Sequence, residues 1–460
     1  MLLTRKVVLK VNETQAIILG HLTMAASKLF NIGNFERKEY KNLGFEKEPN
    51  WYEQKKKLKD NLWYKSLPSQ TAQDVLANLD EAWKSFKNLK FKFDHGKKLS
   101  GEPKSPYFKG RNSHTNITYL NNSFKLEGNK IRFMIPKLLK QFLNKKYQII
   151  DNFFYVKIKK RIDGIIKEIT FSYLNKNEYE MLINYETYAK PIKKDNGRHI
   201  SIDLGITNLA TIYDNKGFSF IISGNSYLST LHRYNKLISY YQSIFDRVNK
   251  LDEKGEKTSS RIKKLYQKKN KVINYIMHTL TRNIVDYCLT NNISRVIIGD
   301  IKGIDDKETK LIGYKKTEFN QKLHSLPFNK IYSLLDYKLK KQGIILIKQE
   351  ESFTSQCSPL CKEVNKDYAH KENRIQRGLF KDGNNVFNAD SVGAFNILRK
   401  YYQLNKINKY LNWKCLSNPT KISISVTSNE NEVGVKGRDY PQIIAVISAL
   451  NEKPGNSIAG

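Results

Sequence analysis

The pattern of apolar and polar positions changes character three times along the chain. Residues 1–10 alternate with the period of two that is typical of a short strand. From there to about residue 95 the apolar positions recur at helical spacing, most clearly over 72–86, where Ser69 is expected to cap the helix. Between 117 and about 188 the period falls towards two again, which predicts a small barrel-like β-unit. The strands predicted there are 117–119, 130–134, 153–159, 169–173 and 179–185.

A new pattern begins at Arg198, after a polar linker at 191–197. The predicted strands are 199–205, 209–213, 218–222, 295–300 and 343–350, and the predicted helices are 226–250, 260–291, 326–342 and 390–402. Three consecutive strands followed by strands joined through helices predict a mixed sheet with helices on its faces. Residues beyond about 403 are polar and irregular in pattern, so a mostly irregular tail is expected.

Charge is the strongest compositional signal. Among 460 residues there are 80 Lys and Arg but only 44 Asp and Glu, which gives a net charge of +36. The length indicates two or three domains. The excess of positive charge indicates a polyanionic partner, and the 27 Tyr and 22 Phe spread among the lysines favour nucleic acid. A basic structural protein is the alternative from composition alone.

Other partner classes find less support in the sequence. We see no run of about 18 consecutive apolar residues and no secretory h-region near the start, so we expect an intracellular chain without a membrane partner. Four cysteines form no framework of disulfide bridges, which fits a reducing compartment.

Carboxylates stand at the ends of the apolar strands in the second half of the chain. Asp203, in HISIDLGIT, lies on the less apolar face of its strand, and Asp300 ends the run RVIIGD. Glu350 and Glu351 end the run GIILIKQEES. Since neighbouring strand residues point to opposite faces, only one of these two can share the side of Asp203.

A further acid lies in NADSVGAFNILRK, where Asn388 can cap a helix that carries Asp390 in its first turn. Gly393 and Ala394 share the face of Asp390 and permit close packing of the helix on the sheet. Acids that converge in this way repel one another unless a cation neutralises them, and a cluster of oxygen ligands favours Mg²⁺ or Mn²⁺. Two such ions could hydrolyse a phosphodiester bond.

Four ordered segments resemble one family. SIDLGITNLATIYD, RVIIGDIKG, EESFTSQCS and RIQRGLF with NADSVGAFNILRK resemble the nuclease domain of the TnpB family of transposon-encoded RNA-guided DNA endonucleases. The eukaryotic Fanzor proteins and, more distantly, the type V CRISPR effectors are relatives of that family. The resemblance covers residues 198–402 well, whereas residues 1–190 agree only in broad style.

The resemblance implies a multidomain α+β protein. Its N-terminal wedge-like β-barrel, residues 1–10 and 112–190, is interrupted by a helical recognition lobe at 11–111. An RNase H-like RuvC α/β nuclease domain follows at 198–402, with a degenerate zinc-ribbon-like insert at about 354–388, and then the tail at 403–460. The implied activity is metal-dependent cleavage of double-stranded DNA that pairs with a bound guide RNA, beside a short target-adjacent motif. The guide would be encoded near the gene, and no obligate protein partner is inferred.

The resemblance also assigns the acids. Asp203 matches the first catalytic acid and Asp390 the last. Most members have Glu where this chain has Gly299, but a subset carries its metal-binding Glu on the later strand, at the position of Glu351. We therefore expect Asp203, Glu351 and Asp390 to hold Mg²⁺ or Mn²⁺, with Asp300 or Glu350 as the alternative middle acid.

Two departures leave alternatives open. The usual zinc ribbon has two Cys-x-x-Cys pairs, whereas here Cys357 and Cys361 are separated by three residues and no second pair precedes Asp390, so structural thiols are favoured over a zinc site. Loss of the usual middle Glu leaves a nuclease-dead RNA-guided DNA-binding protein as a rival, and a guide-independent transposase-type enzyme is a second. The compartment would be the nucleoid-containing cytoplasm of a prokaryotic host or the nucleus of a eukaryotic one.

Overall fold

The computed structural model describes residues 1–97, 99, 101–248, 258–300, 326–376 and 378–424. The chain divides into two compact units, Met1–Tyr188 (unit 1) and Ala189–Gly460 (unit 2), each described separately here. Most of the predicted tail, residues 425–460, lies outside the described residues. The protein is thus multidomain and α+β, as predicted.

Unit 1 combines helices with two antiparallel sheets. Its elements in chain order are β1 (Leu2–Lys10), α1 (Glu13–Lys38), α2 (Trp51–Lys57), α3 (Leu62–Lys65), α4 (Ser69–Asp94), β2 (Ile117–Leu120), β3 (Phe124–Glu127), β4 (Lys130–Met134), α5 (Lys137–Tyr147), β5 (Phe153–Lys157), β6 (Ile165–Asn175) and β7 (Glu178–Glu186). The four-stranded sheet has the order β1-β7-β6-β2, and the three-stranded sheet the order β3-β4-β5. The predicted strands are present, but they form two separate sheets where one barrel-like unit was expected.

One hydrophobic core serves the helices and both sheets of unit 1. Leu22 of α1, Leu76 of α4, Tyr119 of β2 and Phe133 of β4 are all fully buried in it. The predicted division of residues 1–190 into a wedge-like part and a recognition part stays a prediction. The short strand β3 and the lysine-rich helix α5 were not predicted, since neither offers a long apolar period.

Two details of the helices differ from expectation. Pro68 occupies the N-cap of α4 with no side-chain cap, so Ser69 is the first helical residue and the predicted Ser69 cap is wrong. Among the described residues, α1 is by length and composition apolar enough to cross a membrane. Yet 56% of that stretch is buried, and its apolar face packs in the core of unit 1, as a core helix does.

A buried ion pair joins α1 to α4. Nη2 of Arg37 donates to Oδ1 of Asp80 over 2.7 Å, and both side chains are almost fully buried. Nε of Arg37 also donates to Gln54 over 2.9 Å, and Glu48 lies 3.4 Å from Nη1. Because a buried charge is costly without its partner, this network makes the packing of α1 on α4 specific.

We expect Asp80→Ala to destabilise unit 1 by about 2–3 kcal/mol, since Arg37 would keep only Glu48 as a charged partner. Glu81→Ala is the matched control, because Glu81 is exposed on the same helix and pairs only with Lys84. Its loss should cost about 0.5 kcal/mol or less. Urea unfolding followed by tryptophan fluorescence measures both. Equal effects of the two variants would contradict the role of the buried pair.

Unit 2 is built on a mixed sheet. Its elements in chain order are β8 (His199–Asp203), β9 (Asn208–Asp214), β10 (Phe218–Ser223), α6 (Asn225–Val248), α7 (Ser260–Thr290), β11 (Arg295–Asp300), α8 (Phe328–Lys341), β12 (Ile345–Glu350), β13 (Leu379–Asp382), β14 (Asn385–Asn388), α9 (Ala389–Leu404) and β15 (Thr420–Ile422). The sheet order is β12-β11-β8-β9-β10-β15. The first three strands are antiparallel, and β11 and β12 join parallel to β8.

This arrangement confirms the predicted mixed sheet with helices packed on it. The one unexpected member of the sheet is β15, three residues from the polar stretch after α9 that pair in parallel with β10. The helix α9 packs across the middle of the sheet, where Oγ of Ser201 donates to the carbonyl of Ala394 over 2.6 Å. The sheet edge and α9 together position the acids.

Candidate active site

The parallel strands β8, β11 and β12 end side by side. Asp203 is the last residue of β8, one residue beyond the paired residues Ile202 and Ile298, so Gly299 is its neighbour on β11. Gly299 in turn pairs with Gln349 of β12. Glu351 follows the last residue of β12. Ligand sites form at the carboxyl ends of parallel strands, which is where these residues lie.

Glu351 folds back over Gly299. A side chain added at Gly299 would place its Cβ 1.6 Å from Oε1 of Glu351 and 2.4 Å from its Cδ. The carboxylate therefore fills the space that a side chain at position 299 would take. Oε1 of Glu351 is buried, and within the described part of the chain it has no hydrogen-bond partner.

Asp203 approaches α9 at a second glycine. A Cβ at Gly393 would lie 2.4 Å from Oδ2 of Asp203. The predicted close packing at Gly393 is thus confirmed, and the carboxylate lies directly against the helix that carries Asp390 one turn earlier.

Asp390 occupies the first turn of α9, as expected from the sequence. Oδ1 of Asn388 accepts hydrogen bonds from the backbone N–H groups of Asp390 and Ser391, both over 3.1 Å, so the predicted cap is confirmed. Nδ2 of Asn208 donates to Oδ2 of Asp390 over 2.6 Å, and Nη2 of Arg374 lies 3.7 Å from its Oδ1. A neutral donor and a cation thus fix this carboxylate.

The three acids interact electrostatically. Burial raises the pKa of Asp203 well above its usual value, and the carboxylates of Glu351 and Asp390 raise it further, while Arg374 opposes the rise. Burial also raises the pKa of Glu351 to about 7, with further contributions from Asp300 and Glu350. A divalent cation beside Asp203 and Glu351 would therefore favour their ionised forms and lower both pKa values.

The alternative middle acids are engaged elsewhere. Oδ1 of Asp300 lies 3.7 Å from Nζ of Lys348. Glu350 is paired with Lys400 and accepts a hydrogen bond from the backbone N–H of Ser352 over 2.9 Å. The hydrogen bonds from Lys400 and Ser352 lower the pKa of Glu350 to about 2. Of the three candidate middle acids, Glu351 is the one that lies beside Asp203 and has, among the described residues, a buried oxygen without a hydrogen-bond partner.

The donor set fits a hard divalent cation. It offers carboxylate oxygens from Asp203, Glu351 and Asp390, and Oε1 of Glu351 is a buried oxygen still lacking a partner among the described residues. Across that same part of the chain, no three His, Cys, Asp or Glu side chains are already gathered as a ligand shell.

Two polar residues of the site were missed by sequence reasoning. Asn208 follows the IDLGIT segment by one residue, and Arg374 begins the basic RIQRGLF segment ahead of Asp390. Both lie in segments that the family resemblance had already marked. The contact of Asn208 with Asp390 depends on the packing of α9 against β9, and that of Arg374 on the loop ahead of β13, which no local pattern reveals.

The cysteine pair has a different environment. Sγ of Cys357 donates to the carbonyl of Asn365 over 3.3 Å, and Sγ of Cys361 to that of Ser358 over 2.9 Å. Burial raises the pKa of the Cys357 thiol, and the guanidinium of Arg399 lies within 3.9 Å of the Cys361 sulfur. A zinc ion needs thiolates and about four ligands, more than these two thiols supply, and structural thiols stay the prediction.

Two family models match separate parts of the chain. Residues 182–305 match the model of the OrfB_IS605 family, described as a probable transposase, and residues 328–397 match the Cas12f1-like TNB domain. The first match contains Asp203 and the second contains Glu351 and Asp390. The resemblance to TnpB-like RNA-guided nucleases is confirmed. No curated protein sequence matches the chain.

Solved structures of CRISPR effectors are also similar. A Cas12f1–sgRNA–target DNA complex has 17% identity and a TM-score of 0.48, covering 84% of this chain and 83% of that one. A second CRISPR–Cas12f ternary complex has 15% identity and a TM-score of 0.33 over 84% and 81% of the two chains. The mini-RNA-guided endonuclease CRISPR–Cas_phi3 has 12% identity and a TM-score of 0.31, over 59% and 57%.

The raised pKa of Glu351 predicts a pH-dependent stability of unit 2 when divalent metal is chelated. The folded state keeps a proton up to about pH 7 that the unfolded chain releases near its ordinary value of 4.5. Stability should therefore fall as pH rises from about 5 to 7, by up to about 3 kcal/mol from this group. Glu351→Gln should flatten the dependence and raise stability at pH 7.

Urea unfolding of the full chain in EDTA, with hydrogen exchange of β8 and β11 as the readout, measures this dependence. Added Mg²⁺ should reverse the fall in wild type, because the cation favours the ionised carboxylates. Identical pH profiles for wild type and Glu351→Gln would contradict the assignment.

Proposed function

We propose that the chain is an RNA-guided DNA endonuclease of the RuvC type, with Asp203, Glu351 and Asp390 as its catalytic acids. The observation that carries the proposal is the position of Glu351. Its carboxylate lies over Gly299, beside Asp203 and at the edge where Asp390 arrives on α9, and one of its oxygens is buried with no hydrogen-bond partner among the described residues. The two matches to family models, which span these acids, support the same reading.

Mg²⁺, or Mn²⁺ in its place, suits carboxylate oxygens of this kind, and Asp203, Glu351 and Asp390 would hold it. When bound, a pair of such ions supplies an activated water and stabilises the leaving oxygen of the phosphodiester. The chain itself orients the ligands. Asn208 donates a hydrogen bond to one oxygen of Asp390, and the cation of Arg374 lies next to the same carboxylate. Gly299 and Gly393 lack side chains and so leave room for the carboxylates of Glu351 and Asp203.

Guide RNA and target DNA are the proposed partners. A net charge of +36 suits a chain that holds two polyanions. In such a complex base pairing carries sequence discrimination, while the protein binds the heteroduplex by its shape and phosphates and reads only a short adjacent motif. We propose that unit 1 contributes to guide binding and to reading that motif. The compartment follows the host, nucleoid-containing cytoplasm or nucleus.

We expect Asp203→Ala and Glu351→Gln to abolish Mg²⁺-dependent cleavage of guide-matched DNA, with losses of at least about a hundredfold because a metal ligand is removed. Asp300→Asn should keep activity within a few fold, since Asp300 is paired with Lys348. Guide-dependent DNA binding should persist in all three variants. Single-turnover cleavage with co-purified RNA measures the rates. If Asp300→Asn alone abolished cleavage, Asp300 and not Glu351 would be the middle acid.

A swap variant tests the unusual position of the middle acid. Gly299→Glu alone should lower activity, because its Cβ meets the Glu351 carboxylate at 1.6 Å. Combined with Glu351→Gly, the new side chain enters the space that Glu351 leaves. The double variant should therefore cleave faster than Glu351→Gly alone, and a double variant no better than that single one would contradict the shared space. Uncut DNA with every chain, wild type included, would instead favour a nuclease-dead binder.

Dependence on a guide is tested separately. Protein purified from cells carrying its native locus should retain a discrete RNA encoded beside the gene, and ribonuclease treatment should abolish target cleavage. Sequencing of the retained RNA identifies it. Cleavage or strand joining that survives without RNA would favour a guide-independent transposase-type enzyme.

A further inference from the structure

The turn that carries Glu351 is closed by Thr354. The backbone N–H of Thr354 donates to the carbonyl of Glu351 over 3.1 Å, and its Oγ1 donates to the same carbonyl over 2.8 Å. Thr354 is buried. Two hydrogen bonds on one carbonyl fix the backbone from which the Glu351 side chain extends over Gly299.

Asn396 of α9 holds the other end of this turn. It is fully buried, and its Nδ2 donates to the carbonyls of Thr354 and Cys357, both over 2.8 Å. Its Oδ1 accepts a hydrogen bond from Nη1 of Arg399 over 3.0 Å. Both amide hydrogens and the amide oxygen thus have partners, so the side chain has one orientation.

The helix that carries Asn396 also carries Asp390. The two residues are six positions apart on α9, and Gly393 between them abuts Asp203. A helix is a rigid element over this length, since its backbone hydrogen bonds hold the rise per residue constant. Asn396 therefore links the turn with Glu351 to the element that places Asp390.

We propose that Asn396 is a positioning residue that acts through Thr354 to set the spacing between the carboxylates of Glu351 and Asp390, and so the affinity of the site for its divalent cation. This inference rests on the proposed function. Groups that orient metal ligands in this way commonly contribute tenfold to a hundredfold in metal affinity.

A purely structural role for Asn396 makes a different prediction. Loss of a buried amide would then lower stability without changing metal affinity. Asn215 is the matched control, because it is also a buried amide that bonds α9, but at the far end. Its Nδ2 donates to the hydroxyl of Tyr402 over 2.9 Å and to the carbonyl of Gly197 over 2.7 Å.

The experiment compares Asn396→Ala, Thr354→Val, Thr354→Ser and Asn215→Ala in the guide-loaded full-length protein. For Asn396→Ala and Thr354→Val we expect the Mg²⁺ concentration for half-maximal cleavage to rise about tenfold. The rate at saturating Mg²⁺ should recover to within a few fold of wild type. Thr354→Ser keeps the hydroxyl and should behave as wild type. Asn215→Ala should keep the wild-type Mg²⁺ dependence even where its melting temperature falls.

Direct binding of Mn²⁺, followed by its electron paramagnetic resonance signal in the absence of target DNA, provides a readout independent of cleavage. Asn396→Ala and Thr354→Val should bind Mn²⁺ about tenfold more weakly, while Thr354→Ser and Asn215→Ala match wild type. Thr354→Val removes one hydroxyl and so tests the link even if Asn396→Ala fails to fold.

Two failures remain distinguishable. If wild type cleaves and Asp203→Ala does not, but Asn396→Ala and Thr354→Val keep the wild-type metal dependence, the positioning role is rejected and the proposed function stands. If wild type neither cleaves guide-matched DNA nor binds Mn²⁺, the proposed function itself is rejected.

Discussion

The site depends on one steric condition. The carboxylate of Glu351 occupies the space above Gly299 that a side chain at position 299 would otherwise fill. An acid at either position could reach the same place at the end of the parallel strands, but both cannot be present, because a Cβ at 299 would lie 1.6 Å from the Glu351 oxygen. Glycine at 299 is therefore a structural requirement for an acid supplied by the next strand.

The same edge of the sheet contains more carboxylates than the three of the proposed site, and lysines pair with the others. Lys348 pairs with Asp300, and Lys400 pairs with Glu350 and bonds Ser352 as well. These lysines leave Asp203 and Glu351 as the carboxylates whose pKa values are raised. Specific lysines thus pair with the acids beside the site, and a small acidic region persists in a strongly basic chain.

The helix α9 joins the parts of the site. Its capped first turn carries Asp390, and Gly393 leaves room for the carboxylate of Asp203. Further along the helix, Asn396 bonds the turn that follows Glu351, and Arg399 bonds the cysteine loop. In a zinc ribbon the metal would hold such a loop together. Here the guanidinium of Arg399 bonds the carbonyls of Ser358 and Cys361, so hydrogen bonds from α9 hold the loop.

The sequence by itself predicted the central elements of unit 2 and the candidate acids, whereas β13, β14 and β15 were not predicted. Long apolar runs predict β8, β11 and β12 because buried parallel strands exclude polar residues, and Asn388 marks the start of α9 because its side chain satisfies free backbone N–H groups. Side-chain alternation also shows that only one of Glu350 and Glu351 can lie on the side of Asp203. Which of them does so was open from pattern alone.

Only the tertiary structure decided that question, since the answer depends on the register of β12 against β11 and on the empty face of Gly299. The contact of Asn208 with Asp390 likewise joins residues 182 positions apart in the chain, and the two-sheet arrangement of unit 1 depends on which strands pair. Local periodicity records which face of an element is buried. It carries no information about which distant element covers that face.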